Sequence, residues 1–195
     1  MGRGGDRRGG RNRSEDAELA AAVARARDGD EPAFAVVYRL VHPALLAQLR
    51  ALVGTEAEDV ASETWLEIAR DLARFRGDGA GFRGWAATIA RHRALDQLRR
   101  QKRRPRTVLL DEEALEVPGA QDTAEAALEA LSTRWALQLI ATLPREQAEA
   151  VLLRVVAGLD GTTAAQVLGK RPGSVRTAAH RGLRRLAAGL GPGTE

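Results

Sequence analysis

The chain contains no cysteine. Disulfides, thiolate metal centres and thiol redox sensing within it are therefore excluded. Its three histidines are widely scattered, which argues against a zinc site. Aromatic residues make up only 4% of the sequence, so its few large rings are expected to anchor cores. No apolar run approaches the length that spans a bilayer, and the opening MGRGGDRRGGRNR lacks the apolar centre of a secretory signal. A cytoplasmic protein without membrane insertion is the expectation. No alternating strand pattern, internal repeat, nucleophile–base pair, phosphate loop or metal-ligand set appears, so neither catalysis nor a cofactor nor a metal is expected.

What is present is charge, arranged in blocks. The net balance of the 195 residues is only +4. Residues 1–13 carry five Arg and Asp6, residues 54–71 carry six acids and Arg70, and residues 91–106 carry eight Lys/Arg and Asp96. Residues 111–129 then carry seven acids and no base, and residues 169–186 six bases and no acid. Alternating blocks of this size suggest separate surfaces for separate partners. The basic ones suit polyanions, of which nucleic acid is the commonest inside cells. A merely well-solvated surface is the competing reading. Heavy use of Ala, Arg and Gly also fits a GC-rich genome.

Helical periodicity dominates, and the fold class is all-α. Two small helical domains are expected at residues 14–104 and 122–190, joined by a flexible acidic linker over 105–121. They are flanked by a disordered Gly/Arg-rich tail (1–13) and a short tail (191–195). In the first domain a helix starts near Ser14–Asp16 and ends near Arg27. Asp30 caps the next, with Pro32 in its first turn, and Pro43 threatens a kink. Thr55 to Glu58 fits a capping box. Ala61, Trp65, Ile68 and Leu72 line the inner face of the helix that follows. After a loop at 76–81, Phe82 to Arg100 forms a helix with an inward Ala86, Ala90, Ala94, Leu98 ladder. Trp65 and Trp85 are expected to stitch the first core, and Trp135 the second.

The second domain ends in Thr162–Leu168, a glycine turn, and a helix that Ser174 can cap. This is a helix-turn-helix pattern. Val175, Ala179, Leu183 and Leu186 are expected to be buried, which turns Arg176, Thr177, His180, Arg181 and Arg184 outward. Such a helix can enter the major groove, where the guanidinium fork suits guanine. Lys170 and Arg171, at the turn, are better placed for phosphates. A solvated basic helix is the plain alternative.

Taken together, these segments resemble an extracytoplasmic-function (ECF) sigma factor, a compact class of bacterial RNA polymerase sigma subunits. The resemblance covers about residues 17–190. ARDGDEPAFAVVYRLVHPALL is similar to the family's first conserved segment. GTEAEDVASETWLEIARDLARFRG resembles its polymerase-binding segment, and FRGWAATIARHRALDQLRRQKRR its promoter-melting and −10-reading segment. ATLPREQAEAVLLRVVAGLD resembles the start of its domain 4. TTAAQVLG departs from the family's usual Glu-Ile-Ala motif, as do Ala178-Ala179 from Arg-Leu and His92 from Asn.

The resemblance implies a subunit that binds core RNA polymerase at its clamp coiled coil and flap, recognises −10 and −35 promoter elements, and promotes DNA opening. It implies polymerase contacts at Asp59, Glu63 and Glu67. It implies −10 contacts at Phe82, Arg83, Trp85, Arg91, His92, Arg99 and Arg100, and −35 contacts at Lys170, Arg171, Arg176, Thr177, His180, Arg181 and Arg184. Phe82 and Trp85 stand either as a platform for an unstacked base or as core. An anti-sigma factor is a further implied partner. The alternative function is an autonomous helix-turn-helix transcriptional regulator.

Overall fold

The computed structural model describes residues 6–103 and 135–189, with side chains from residue 14 onward. The expected linker falls on residues outside these. The first unit comprises α1 (Asp6–Arg27), α2 (Glu31–Val53), α3 (Ala57–Asp71) and α4 (Gly79–Arg103). The second comprises a helical segment α5 (135–141), α6 (Arg145–Val151), α7 (Gly161–Leu168) and α8 (Pro172–Gly189). No strand occurs among the described residues.

The helix α1 begins at Asp6, not near Ser14. Once Leu19, Ala22, Val23 and Ala26 pack into the core, extending an existing helix toward its N-terminus requires no new nucleus. Asp30 caps α2 as expected, its Oδ1 accepting from Ala33 N–H at 2.9 Å. Pro43 lies inside α2 without ending it. It sits on the exposed side, as does Arg39, whose carbonyl loses its helical donor and can turn to water. The stretch Glu31–Arg74 contains a window long and apolar enough to cross a membrane by composition, contrary to the sequence reading. Val37, Val41, Leu45 and Leu49 of that stretch are buried in the protein's own core.

The capping box does not form. A 3-10 turn, Gly54–Glu56, precedes α3, and Glu58 reaches Arg50 on α2 at 2.7 Å instead. The inner face of α3 is as expected, with Ala61, Trp65 and Ile68 buried and Leu72 following in a 3-10 turn. The helix α4 starts at Gly79, three residues earlier than its pattern suggested, because Asp78 Oδ1 accepts from Gly81 N–H at 2.7 Å. Ala86, Ala90 and Ala94 are fully buried, and Leu98 packs partly against the same core.

In the second unit, Leu152–Val156 winds as a π-helical turn directly after α6. Asp160 then caps α7, its Oδ1 accepting from the N–H groups of Thr162 and Thr163. Gly169 ends α7 in the left-handed region (φ 62°), where a side chain would be strained. Lys170 N–H closes the turn onto Ala165 O at 2.9 Å. The helix α8 begins at Pro172, so Ser174 lies in its first turn and is not the cap.

Two expected core positions are exposed. Trp135 is 53% exposed, because the inner side of this segment is set by Leu137, Ile140 and Leu143, and Trp135 falls off that face. Leu183 is 44% exposed, and Gly182 takes the inward place beside Val175 and Ala179. A Cβ on Gly182 would stand 2.8 Å from Val151 Cγ2 and 3.3 Å from Gln147 Cβ, so its lack of a side chain lets α8 lie close on α6. Gly182→Ala should therefore destabilise the protein by about 1–3 kcal/mol through overpacking. Leu183→Gln should stay within about 0.5 kcal/mol of the parent. Urea denaturation of both variants checks the pair.

Candidate functional site

The helix-turn-helix of α7, the Gly169 turn and α8 presents the basic face that its sequence pattern promised. Arg171, Arg176, Thr177, His180, Arg181 and Arg184 are all exposed. The Thr177 hydroxyl donates to Gly173 O at 2.9 Å, so its proton is held by the backbone. Lys170 is engaged too: its Nζ lies 2.6 Å from Glu146 Oε1 on α6. That hydrogen bond and the ammonium's charge hold the Glu146 carboxyl below its ordinary range. Five outward groups of α8, with Arg171 before it, thus remain as one cationic surface.

On α3 the acidic side chains fall into two kinds. Asp59 is exposed and has no ion-pair partner among the described residues. Glu67 is held by α4, accepting from Arg93 Nε at 2.6 Å. Glu63 lies 3.7 Å from Arg93 and 3.9 Å from Arg100. The acidic face of α3 is therefore partly neutralised by the basic end of α4, one helix over. Leu66 stands between Glu63 and Glu67 and is 72% exposed.

The α4 residues expected at −10 DNA are dispersed by the fold. Phe82 is fully buried, packed edge-on against Phe75 with ring centroids 5.4 Å apart, which makes it core. Trp85 is half-buried, 5.1 Å from Phe75 and 5.6 Å from Phe82. Arg83 ties α4 to the first two helices: its Nε donates to Asp16 Oδ1 at 3.1 Å and a terminal nitrogen to Leu40 O at 3.3 Å. Arg91 points to the second unit, with Nε 3.3 Å from Glu149 Oε1 of α6. His92, Arg99 and Arg100 are exposed. Asp96 pairs with Arg99 at 2.7 Å, while Arg93 and Arg100 turn to the acids of α3.

Family models for Sigma-70 region 2 and Sigma-70 region 4 match residues 37–104 and 125–186. The ECF RNA polymerase sigma factor ShbA of Streptomyces griseus is 34% identical over 185 residues, covering 89% of this chain and 96% of the relative. The ECF RNA polymerase sigma factor SigD of Mycobacterium tuberculosis is 34% identical over 177 residues, covering 86% and 82%. The chain belongs to the ECF sigma factors. A solved structure of the sigma factor RpoE with the anti-sigma factor NepR from Bartonella quintana shares the fold, with a TM-score of 0.63 at 22% identity, covering 83% of this chain and 98% of that one.

As an ECF sigma factor the protein binds RNA polymerase for promoter recognition, with core polymerase and promoter DNA as its partners. Sigma factors are in general not enzymes. Region 2 of this sigma factor is α2 to α4, and region 4 contains α6 to α8. Sequence reasoning missed Glu149, whose nearer ionic partner, Arg91, lies on α4 of the other unit. It also missed Asp160, although an aspartate before Gly-Thr-Thr is a readable cap.

Within region 2 an aromatic group joins α2 to α3. Trp65 Nε1 donates to His42 Nδ1 at 3.1 Å, and the imidazole stacks on Tyr38 with centroids 4.5 Å apart. Burial pushes the His42 pKa below its ordinary 6.5; Glu58 opposes this and Arg50 adds to it. The unfolded chain therefore binds a proton more readily, so stability contributed here is complete well above pH 6.5 and is lost as the pH falls through that value. His42→Asn keeps an acceptor near Trp65 and does not titrate. Melting temperature against pH should fall less steeply below pH 6.5 in this variant than in the parent.

Proposed function

We propose that this sigma factor reads the −35 element with α8, holds the opened −10 strand along α4, and docks on polymerase through α3. The observation that carries this reading is the helix-turn-helix whose second helix buries Val175, Ala179 and Gly182 and turns five polar and basic side chains outward. Arg176 and Arg181 are the candidates for base edges, with Thr177 and His180 beside them. Arg171 and Arg184 suit phosphates, and Lys170 joins them once it exchanges Glu146 for DNA. Along α4, His92, Arg99 and Arg100 are open to the strand in this conformation. Trp85 and Arg91 are partly covered, Arg83 braces the helix, and Phe82 supports Trp85 from the core. Asp59 and Glu63, with Glu67 behind them, form the acidic patch for the polymerase clamp coiled coil. Region 4 faces the flap. Domain limits near 14–104 and 122–190 belong to this reading.

An anti-sigma factor is a fitting partner, because the similar sigma factor RpoE was solved with one. The cytoplasm, where polymerase works, is the expected location. An autonomous regulator is the weaker reading, since the chain carries region 2 as well as the DNA-reading unit. Transcription in vitro with purified core polymerase and candidate promoters tests the whole assignment. Promoter-directed RNA supports it, and DNA binding without recruitment of core favours the regulator.

Charge reversal of Asp59 and Glu63 should weaken binding of core polymerase about tenfold or more, at unchanged helical content. Loss of two complementary charges at about 1 kcal/mol each is enough for that. A core-polymerase titration followed by fluorescence checks it, and equal affinity would reject the patch. On the DNA side, Arg176→Ala or Arg181→Ala should cost about 1–3 kcal/mol on the preferred −35 element and relax selectivity at one position. Arg171→Ala or Arg184→Ala should weaken all sequences alike and lower the salt slope by about one unit. Holoenzyme binding to a −35 library at several salt concentrations separates the two classes.

A further inference from the structure

The Arg-rich start of the chain has no part in the function proposed above. Residues 1–13 hold five Arg against one Asp, a net charge of +4, and no apolar side chain after Met1. The helix α1 nevertheless runs from Asp6, whereas its buried apolar face begins at Leu19. Gly9 and Gly10 are poor helix formers, so propensity does not explain this stretch either. What its composition supplies is concentrated positive charge.

The root of this stretch is fixed in place. α1 lies against the first turn of α4, where a Cβ on Gly79 would collide with Asp16 O and stand 3.2 Å from Ala20 N. Arg83 clamps the crossing, 3.1 Å from Asp16 and 3.9 Å from Glu15. It thereby offsets the two acids at the root, and the charge ahead of them is not cancelled there. Farther along α4, Gly84 lies under Thr163 of α7 and Ala87 joins the apolar cluster of region 4. The start of α4 is thus held by α1, and its next turns by region 4. Trp85 is six residues from Gly79, about 9 Å along the helix axis. The arginines are therefore delivered beside the part of α4 proposed to hold the opened −10 strand.

We propose that residues 1–13 form a further DNA contact: a cationic arm, rooted at the start of α4, that grips the phosphate backbone beside the −10 element without reading its bases. This rests on the reading of α4 as the −10 support. The guanidinium fork suits phosphate oxygens. The segment has no aromatic side chain on which a base could stack. From Asp6 to Asp16 the helix is about 15 Å long, enough to run along about four phosphates of one strand. Each phosphate that is neutralised releases a counterion, so the arm adds to the salt dependence of promoter binding at about 0.9 per contact.

The test keeps the chain at full length. One variant combines Arg3→Gln, Arg7→Gln, Arg8→Gln, Arg11→Gln and Arg13→Gln, and a second combines Arg→Lys changes at the same five positions. Holoenzyme made with each is titrated with promoter DNA at several salt concentrations. The Gln variant should bind about tenfold more weakly, with a salt slope lower by about 2–4 units, and by the same factor on promoters that differ in the −10 sequence. The Lys variant should keep the parent's slope, because neutralising phosphates requires charge. Both should bind core polymerase as the parent does. Gly4→Cys, in a chain without other cysteines, carries a tethered hydroxyl-radical cleaver, attached before assembly with core. Thirteen residues reach at most about 45 Å from the root, so cuts should fall within about 13 base pairs of the −10 element at about 3.4 Å per step. An unchanged slope in the Gln variant, a loss confined to one −10 sequence, a Lys variant as weak as the Gln variant, or no cuts near the −10 element would each overturn the arm. A loss of affinity for core polymerase would assign the arginines to polymerase and overturn it too. Transcription by parent holoenzyme is scored separately. Its failure would strike the assignment of function, and its success alongside any of those results would strike the arm alone.

Discussion

Close approach along α4 is the constraint on which the rest of the structure depends. This helix carries Ala86, Ala90 and Ala94 on the side that faces α1, α2 and α3, and Gly84 and Ala87 on the side that faces region 4. Small side chains let neighbouring backbones come near, and tight interiors tolerate little added volume. The large residues of region 2, Phe82, Trp65 and Leu49 among them, fill the spaces that remain between helices. A bulky substitution on either face of α4 would therefore displace whole helices.

The second theme is that charge serves inside the molecule before it serves outside. Arg93 and Arg100 answer the acids of α3, Lys170 answers Glu146, and Arg91 answers Glu149. Most of these pairs are partly exposed and individually worth little. On the proposed reading their importance lies in competition, since a partner is exchanged where polymerase or DNA takes its place. Asp59, Arg176, Arg181 and Arg184 are open to solvent and have no ion-pair partner among the described residues.

Much of this was legible in the sequence, for reasons that differ by element. The inner faces of α3 and α4 could be read because their apolar residues keep a helical period over several turns. The helix-turn-helix could be read from a left-handed glycine between a short apolar helix and a basic one. Leu183 could not be placed correctly, because Gly182 looks neutral in a hydrophobic pattern while its lack of a side chain is what α6 needs. Trp135 misled for the opposite reason: size suggests burial, but the segment's inner side is fixed by Ile140 and Leu143. The roles of Arg83 and Arg91 were hidden because a basic residue in a basic segment gives no sign of an acidic partner elsewhere. Asp16 meets Arg83, and Glu149 meets Arg91, only after folding.

The π-helical turn at Leu152–Val156 sets how region 4 faces its neighbour. Such a turn holds one residue more than an α-helix allots to the same span. Loss of a single residue there would let α6 continue as an ordinary helix, and everything attached beyond it would swing by about 100° about the α6 axis. Thr163 would leave Gly84, and α8 would turn a different side outward. The spatial relation between regions 2 and 4 is thus encoded in part by a one-residue surplus, so that within this stretch the length of the chain, and not only the identity of its side chains, carries structural information.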